Sequence, residues 1–461
     1  MKRTLSDAAR IAGGRLIGDD RPYCQVSTDS RTLNPGALFV ALRGPNFDGA
    51  AFVSAAAARG AIGALVERES NSPLPQVVVT DALRALQDLA KAWRTEFNLP
   101  VVAVAGSNGK TTAKEMTSAI LSRMGLCMAT HGNLNNHIGV PVTLMRLEGS
   151  HRSAVIEMGA NRIGDVAELM RLAQPSVGLI TNAGAEHLEG FGDLDGVAKG
   201  EGETVSCLNP SGTAVINADD AYAGYWRSVA AAARILTFGV HAPADFMAKN
   251  VIQAIERGEF ATRFTLVCPL GERPIMLKAG GAHNIGNALA AAAAASAAGA
   301  SLDDIVSGLA DFRAVSGRLQ LKPGARDSWI IDDSYNANPS SVRAGLEVLR
   351  SLAGVTWLVL GDMAELGEHS EESHAHIGSY ARECGIKRLF ALGPLSSRAV
   401  ETFGSGGEWF ADAESLIRRL QAELAPGVTV LIKGSRINRL ERVVQALTGG
   451  GVNSGPMMRA S

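Results

Sequence analysis

Val101-Val102-Ala103-Val104-Ala105-Gly106-Ser107-Asn108-Gly109-Lys110-Thr111-Thr112 decides the fold. An unbroken apolar run ending in glycine predicts a parallel strand buried on both faces that feeds a tight turn. A helix is expected to follow through Ala113 to Leu121. Glycines let such a turn fold back with its N–H groups pointing inward, and the helix N-terminus adds partial positive charge. Gly106, Ser107, Asn108, Gly109, Lys110, Thr111 and Thr112 are therefore expected to hold the phosphates of a nucleotide, with Lys110 reaching the terminal ones. Thr111 offers a hydroxyl to magnesium. The residue five before Gly109 is Val104, so the spacing is shorter than GxxxxGK[ST] and the loop is a variant. An accidental glycine-rich turn is the competing reading, and Gly-Lys-Thr between a buried strand and a helix disfavours it.

The same alternation of strand and helix runs outward from this loop. Ala154-Val155-Ile156 and Val177-Gly178-Leu179-Ile180 read as further strands, so a doubly wound parallel sheet is expected. After Gly317 the pattern restarts with Trp329 to Ile331, Trp357 to Leu360, Leu389 to Leu392 and Thr429 to Ile432, with helices over Ser341 to Leu352 and near His374 to Arg382. Ahead of Phe97 lie shorter elements, including strands at Ala37 to Leu42 and Val77 to Val79. The expected class is α/β in three domains: a small N-terminal α/β substrate domain (1–97), a central P-loop domain (98–315) and a C-terminal Rossmann-like domain (316–448), followed by a flexible tail (449–461). A chain of 461 residues exceeds what one core usually organises.

Composition narrows the function. Hydrophobic residues make up 46% and charged residues 20%, a globular balance, and the formal net charge of −2 provides no global field for nucleic acid or an anionic membrane. Five cysteines without paired spacing fit neither a disulfide framework nor a zinc site, and a cytoplasmic location is expected. The first residues, Met1 to Asp7, have no apolar stretch behind their positive charge and do not read as a secretory signal. Ile285 to Ala300 is too short and too polar to span a bilayer, and a buried helix is expected there. His369, His374 and His376, among acidic residues, read as a solvated helix face.

Glu157, at the C-terminal end of a predicted buried strand, is a candidate metal ligand. His187 follows another strand; a lone histidine is more often a structural donor, and imidazole is an unusual ligand for a hard cation. Gly132 to Pro141 is rich in amide side chains, which donate and accept together and suit a sugar–peptide substrate, although a polar turn is the default.

Taken together, Gly106 to Thr112, Glu157, Thr181 to Gly192, Gly132 to Pro141, His283 to Asn287, Gly317-Arg318, Asp332 to Pro339, Gly361 to Gly367 and Lys433 to Arg436 resemble the Mur ligase family, whose members join amino acids or peptides to a carboxylate at the expense of ATP. The resemblance covers nearly all of the chain before the tail, and it favours the branch that adds D-alanyl-D-alanine to UDP-N-acetylmuramoyl-tripeptide in peptidoglycan synthesis. It implies ATP and Mg2+ as cofactors, with Thr111, Glu157 and His187 on the metal and Lys110, Glu157, His187 and Glu201 in catalysis. It also implies Asn284 and Asn287 beside the adenine, Arg318 on phosphate and Asp333 on the ribose. Ser30 and Arg31 would serve the UDP portion, and Asn135, Asn136, Tyr335, Asn336 and Asn338 the remaining substrate groups. Asn284 also suits a helix start, and Arg31 a surface ion pair. Ala50 and Arg162 stand where the family commonly has histidine.

The family usually carries a lysine, converted to a carbamate, fourteen residues after the histidine; here that position is Glu201. A glutamate already ends in a carboxylate and is expected to supply the charge directly. The alternatives are a shifted register that modifies Lys199, although helix residues two apart point roughly 200° away from each other, or a solvated glutamate. The expected partners are the two substrates, without nucleic acid or membrane insertion, and the expected state is a monomer with Ala314 to Gly317 as a hinge. Rival readings are a ligase adding a single amino acid or extending a folate polyglutamate tail, and an ATP-binding scaffold without turnover.

Overall fold

The computed structural model describes residues 3–44, 47–230 and 233–449. The expected tail lies outside the described residues from 450 onward. Three large sheets organise the described residues, beside two two-stranded pairs. The first is five-stranded, in the order Arg15–Ile17, Gln76–Val78, Gly63–Val66, Ala37–Val40, Gln25–Ser27, and only its first pair is antiparallel.

The central sheet places Val101–Ala105 between Ser153–Glu157 and Val177–Ile180, parallel to both. Chain order reverses at this strand, so its C-terminal end opens a crevice of the kind in which doubly wound sheets bind ligands. Every residue of the strand is buried, which explains the absence of alternation in its sequence. Parallel pairing continues through Thr213–Asn217, Arg234–Gly239 and the start of Phe246–Glu256. The sheet then turns antiparallel through Glu259–Cys268 and Gly271–Leu277, an extension absent from the sequence reading. Its first hairpin reverses at Arg257 (φ 51) and Gly258 (φ 79), the left-handed pair that a tight two-residue turn requires.

Ala282–Ala297 is the buried helix expected from the alanine run. Its small side chains allow close packing on the helix Lys110–Leu121 that leaves the phosphate loop. The third sheet, Gln320–Pro323, Trp329–Asp333, Val428–Lys433, Val355–Gly361, Arg388–Leu392, Gly407–Phe410, is parallel after its antiparallel first pair. Among the described residues no helix is long and apolar enough to cross a membrane.

The N-terminal and central units share an apolar core. The helix Ala82–Arg94 joins them: Trp93 donates to the Leu147 carbonyl at 3.1 Å, and Arg94 to the Ala173 carbonyl at 2.8 Å. Two helices begin earlier than expected. Pro339–Arg350 starts where Asn338 forms a capping box with Ser341 and proline occupies the first turn. Ser370–Glu383 starts ahead of His374.

His374 corrects the solvated-face reading. It is 0% exposed, accepts the Met363 N–H through Nε2 at 2.9 Å, and meets the Ser370 carbonyl through Nδ1 at 2.6 Å. The sequence offered only its acidic neighbours, whereas burial was set by a loop eleven residues upstream. Burial holds this imidazole below the usual histidine range, with the Ser370 carbonyl working in the opposite direction. His374→Ala would leave the buried Met363 N–H without a partner, at about 1–3 kcal/mol, so a fall in Tm is expected. Because the folded ring resists protonation, wild-type stability should decline as pH falls below about 6.5, where the unfolded chain gains the proton. Thermal melts between pH 5 and 8 check both points: the variant should melt lower and show a shallower slope.

Candidate active site

Contacts from outside the phosphate loop hold its shape. Gly106 (φ 121) leaves no room for a side chain: a Cβ there would lie 2.1 Å from Thr181 Oγ1. Gly109 (φ 82) is equally constrained by Asn287 Oδ1, 2.3 Å from such a Cβ. Asn108 N–H donates to Asn182 Oδ1 at 3.0 Å, Thr181 Oγ1 donates to the Asn108 carbonyl at 2.6 Å, and Gly184 N–H donates to Ser107 Oγ at 2.8 Å. Lys110 opens the helix, and its Nζ donates to the carbonyls of Gly106 and Ser107.

Acidic groups gather around that ammonium. Glu186 Oε1 lies 3.6 Å from Lys110 Nζ and 3.2 Å from His187 Nε2. Glu201, 4% exposed on the helix Leu194–Ser206, accepts the Gly106 N–H at 2.6 Å. Lys199, two residues earlier, is exposed. Burial opposes the charge on Lys110, yet Glu186, Glu201 and Glu157 together hold its pKa above the usual lysine value. Burial likewise opposes the charge on Glu186, which Lys110 and His187 nevertheless keep below the ordinary carboxylate range. His187 is raised by Glu186 and Glu365 against its own desolvation. At Glu201 burial dominates and pushes the carboxyl up to about 7, with Lys110 pulling the other way.

Glu157 ends its strand as expected and is 3% exposed. Its Oε1 accepts from Asn135 Nδ2 at 2.9 Å, while the buried Oε2 has no hydrogen-bond partner among the described residues. An orphaned buried carboxylate oxygen is costly unless a cation or donor completes it, so this atom fits a metal ligand. Among the described residues no three His, Cys, Asp or Glu side chains converge closely enough to hold a metal alone. That is compatible with Mg2+, which takes few protein ligands and completes its shell with water and phosphate oxygens.

A cavity of about 420 Å³ joins the loop to the C-terminal unit. Asn108, Gly109, Thr111, Thr112, Asn284, Asn287, Arg318 and Asp333 all line it, which brings most of the sequence-predicted nucleotide residues together. Arg318 lies over the Tyr335 ring at 4.2 Å and donates to Thr111 Oγ1 at 3.4 Å. Asp333 Oδ2 pairs with Lys433 Nζ at 2.6 Å, and the Asn336 carbonyl accepts from the same ammonium. Asn338 Nδ2 donates to Asn108 Oδ1 at 2.8 Å across the units.

Other predicted residues have local partners. Asn136 Oδ1 accepts from Ile138 and Gly139 N–H groups at the start of the following helix. Arg31 pairs with Asp29, its side chain 85% exposed, and Ser30 is buried beside it; neither lines the cavity. Sequence reasoning included Glu186, Lys433 and Glu365 in motifs without giving them a role, and it passed over the cavity wall of Asn217, Asp219, Phe238, Val240 and His241. Asn217 and Asp219 at the end of a buried strand were a legible signal, since ligands collect at strand C-termini.

Known proteins resemble the chain throughout. The model described as Mur ligase family, catalytic domain matches residues 22–106; Mur ligase middle domain matches 104–295; and Mur ligase, glutamate ligase domain matches 317–436. The UDP-N-acetylmuramoyl-tripeptide--D-alanyl-D-alanine ligase of Escherichia coli is 45% identical over 451 residues, 97% of this chain and 99% of that protein. A crystal structure of MurF from Acinetobacter baumannii matches with a TM-score of 0.91 at 34% identity, covering 97% of this chain and 99% of the other. MurF ligase from Thermotoga maritima in complex with ADP matches with a TM-score of 0.81 at 27% identity, covering 92% and 97%.

Gly109→Ala tests the loop without touching a charged group. The added methyl strains a left-handed backbone and collides with Asn287, a cost of about 1–3 kcal/mol, so ADP affinity measured by calorimetry should fall roughly 10- to 100-fold. Affinity within twofold of wild type would mean that the loop does not cradle phosphate.

Proposed function

Because the chain belongs to the Mur ligase family, we propose that it is an ATP-dependent ligase that adds D-alanyl-D-alanine to UDP-N-acetylmuramoyl-tripeptide, releasing ADP and phosphate in peptidoglycan precursor synthesis. The observation that carries the chemistry is the gathering of Lys110, Glu157, Glu186, His187 and Glu201 around one phosphate loop. High identity along nearly the whole length of a tripeptide–dipeptide ligase favours this substrate pair over a single amino acid or glutamate.

The substrate carboxylate attacks the γ-phosphate and becomes an acyl phosphate, which replaces a poor leaving group by a good one. The amine of D-alanyl-D-alanine then attacks the acyl carbon, and the tetrahedral intermediate collapses with loss of phosphate. Lys110 neutralises charge on the transferring phosphoryl group, and Arg318 meets the phosphates from the C-terminal side. Residues Thr111, Glu157 and His187 would hold Mg2+, which when bound supplies electrostatic stabilisation to the phosphoryl oxygens. Three carboxylates crowd Lys110, and a triphosphate adds further negative charge, so this acidic lining suits a cation-loaded nucleotide.

Glu201 supplies the negative end that a carbamylated lysine provides in most of the family. Its burial against the loop and its bond to Gly106 support this reading over a solvated role, and the exposure of Lys199 argues against a shifted register. Residues 1–97 serve the UDP portion, 98–315 the ATP and 316–448 the dipeptide end. Asn135 is placed to orient Glu157; Tyr335, Asn336 and Asn338 border the reacting groups. The enzyme works as a cytoplasmic monomer, consistent with its unpaired cysteines.

Phosphate release from ATP should require both UDP-N-acetylmuramoyl-tripeptide and D-alanyl-D-alanine, with the ligated product seen by mass. Release with glutamate or a single amino acid instead would move the substrate assignment, and binding without turnover on any pair would favour a scaffold. Lys110→Ala should lose ~10²–10³ in rate, the usual cost of a preorganised electrostatic contact. Glu201→Gln should be strongly impaired, and intact mass should show no carbamate on Lys199; full activity in that variant removes Glu201 from the mechanism.

A further inference from the structure

The segment Gly361 to Gly367 was recognisable as a family motif, yet the reaction described above uses none of its side chains. The structure gives it a rigid frame. Asp362 N–H donates to Asn438 Oδ1 at 3.1 Å, Met363 N–H to His374 Nε2 at 2.9 Å, and Ala364 N–H to Ser435 Oγ at 2.9 Å. Met363 and Leu366 are buried, at 0% and 1% exposure. Three consecutive backbone donors are thus tied to two elements, the helix Ser370–Glu383 and the turn Ser435 to Asn438, and two apolar side chains anchor the ends. Between them Glu365 adopts a left-handed conformation (φ 65) that a β-carbon disfavours.

That conformation points Glu365 out of its own unit. Its Oε2 lies 2.6 Å from His187 Nδ1 in the central unit, the other side of the same imidazole whose Nε2 lies 3.2 Å from Glu186. His187 is itself left-handed (φ 51). Two non-glycine residues in a sparsely populated region therefore face each other across the two units, at a strain of order 1–3 kcal/mol each. Backbone strain of this kind persists where the surroundings enforce it, and here a buried loop frame enforces it on one side.

We propose that Glu365 is a positioning residue that completes the His187 metal site from the C-terminal unit. A carboxylate on one nitrogen of a ligating imidazole fixes the ring and directs the other nitrogen at the cation. Here Nδ1 is held by Glu365, and Nε2 faces Glu186, whose Oε1 also approaches Lys110; a cation on Nε2 would take the place of the proton shared with Glu186. Together with Arg318 on Thr111, this contact ties the docking of the C-terminal unit to the metal site, so that tight cation binding and the approach of the dipeptide-bearing unit are coupled. The inference rests on the reading of His187 as a ligand, and the controls below separate the two.

Mn2+ binding, followed by electron paramagnetic resonance with a non-hydrolysable ATP analogue on the full-length protein, tests it. Glu365→Gly suits the left-handed backbone and preserves the loop, while Glu365→Gln retains a neutral acceptor. Glu365→Gly should weaken Mn2+ binding about 10- to 100-fold, the usual cost of removing such an outer partner. Glu365→Gln should fall between it and wild type, with metal-free analogue binding within twofold in both. If His187→Ala weakens Mn2+ binding and Glu365→Gly does not, the proposal fails and the ligand reading stands. If neither variant changes Mn2+ affinity, His187 is not a ligand and both fall. Equal weakening of analogue binding with and without metal in Glu365→Gly would assign Glu365 to domain docking alone and also overturn the proposal.

Discussion

Gly106 donates its backbone N–H to Glu201 at 2.6 Å, and this bond ties the phosphate loop to a helix ninety-five residues downstream. A turn whose N–H groups must point at an anion cannot satisfy itself, because each donor it spends internally is lost to the ligand. The fold resolves this by bracing the loop from outside. Thr181 donates to the Asn108 carbonyl, Gly184 donates to the Ser107 hydroxyl, and Asn287 closes on Gly109, while Asn182 and Glu201 take the amides of Asn108 and Gly106, so the braces themselves use donors at the start of the loop. The braces are also the route to the chemistry, since the chain that leaves Gly184 carries Glu186 and His187 straight back to Lys110.

The same economy governs the meeting of the central and C-terminal units. Few polar contacts join them near the site, and each falls on a residue already committed to the nucleotide: Asn338 and Ser340 on Asn108, Arg318 on Thr111, Glu365 on His187. Contacts so placed are weak individually, as separation of the units for three substrates would require. They also ensure that docked units and an ordered loop occur together.

Much of this was legible in the sequence, for local reasons. A fully buried parallel strand prints as an apolar run, and a phosphate turn prints as glycines ahead of Lys-Thr, so Val101 to Thr112 located the central strand, the crevice at its end and the phosphate-loop side of the cavity at once. The acid at the end of Ser153–Glu157 followed from the same rule. What escaped depends on partners distant in sequence. Nothing near His374 shows that Met363 will bury it, and nothing near Glu365 shows that it will reach His187. The antiparallel extension after Phe246 escaped because half-exposed edge strands carry a mixed pattern that competes with loop readings.

Glu201 shows how far a substitution can be reasoned through. A carbamylated lysine places its anionic end at the tip of a long stem, whereas glutamate is several bonds shorter. Moving the charge back along the side chain would leave it out of reach unless the backbone or its hydrogen-bond partner changed as well. Here the carboxylate accepts from Gly106, the first amide of the loop, and therefore sits behind the phosphates at the base of the turn. From there it acts on Lys110 through the loop it braces, and burial raises its pKa to about 7 while Lys110 opposes that rise. A cation and nucleotide in front of the loop would alter that balance without touching Glu201 directly. Where Glu201 is ionised, its carboxylate would serve the geometry of the loop as well as the field around Lys110.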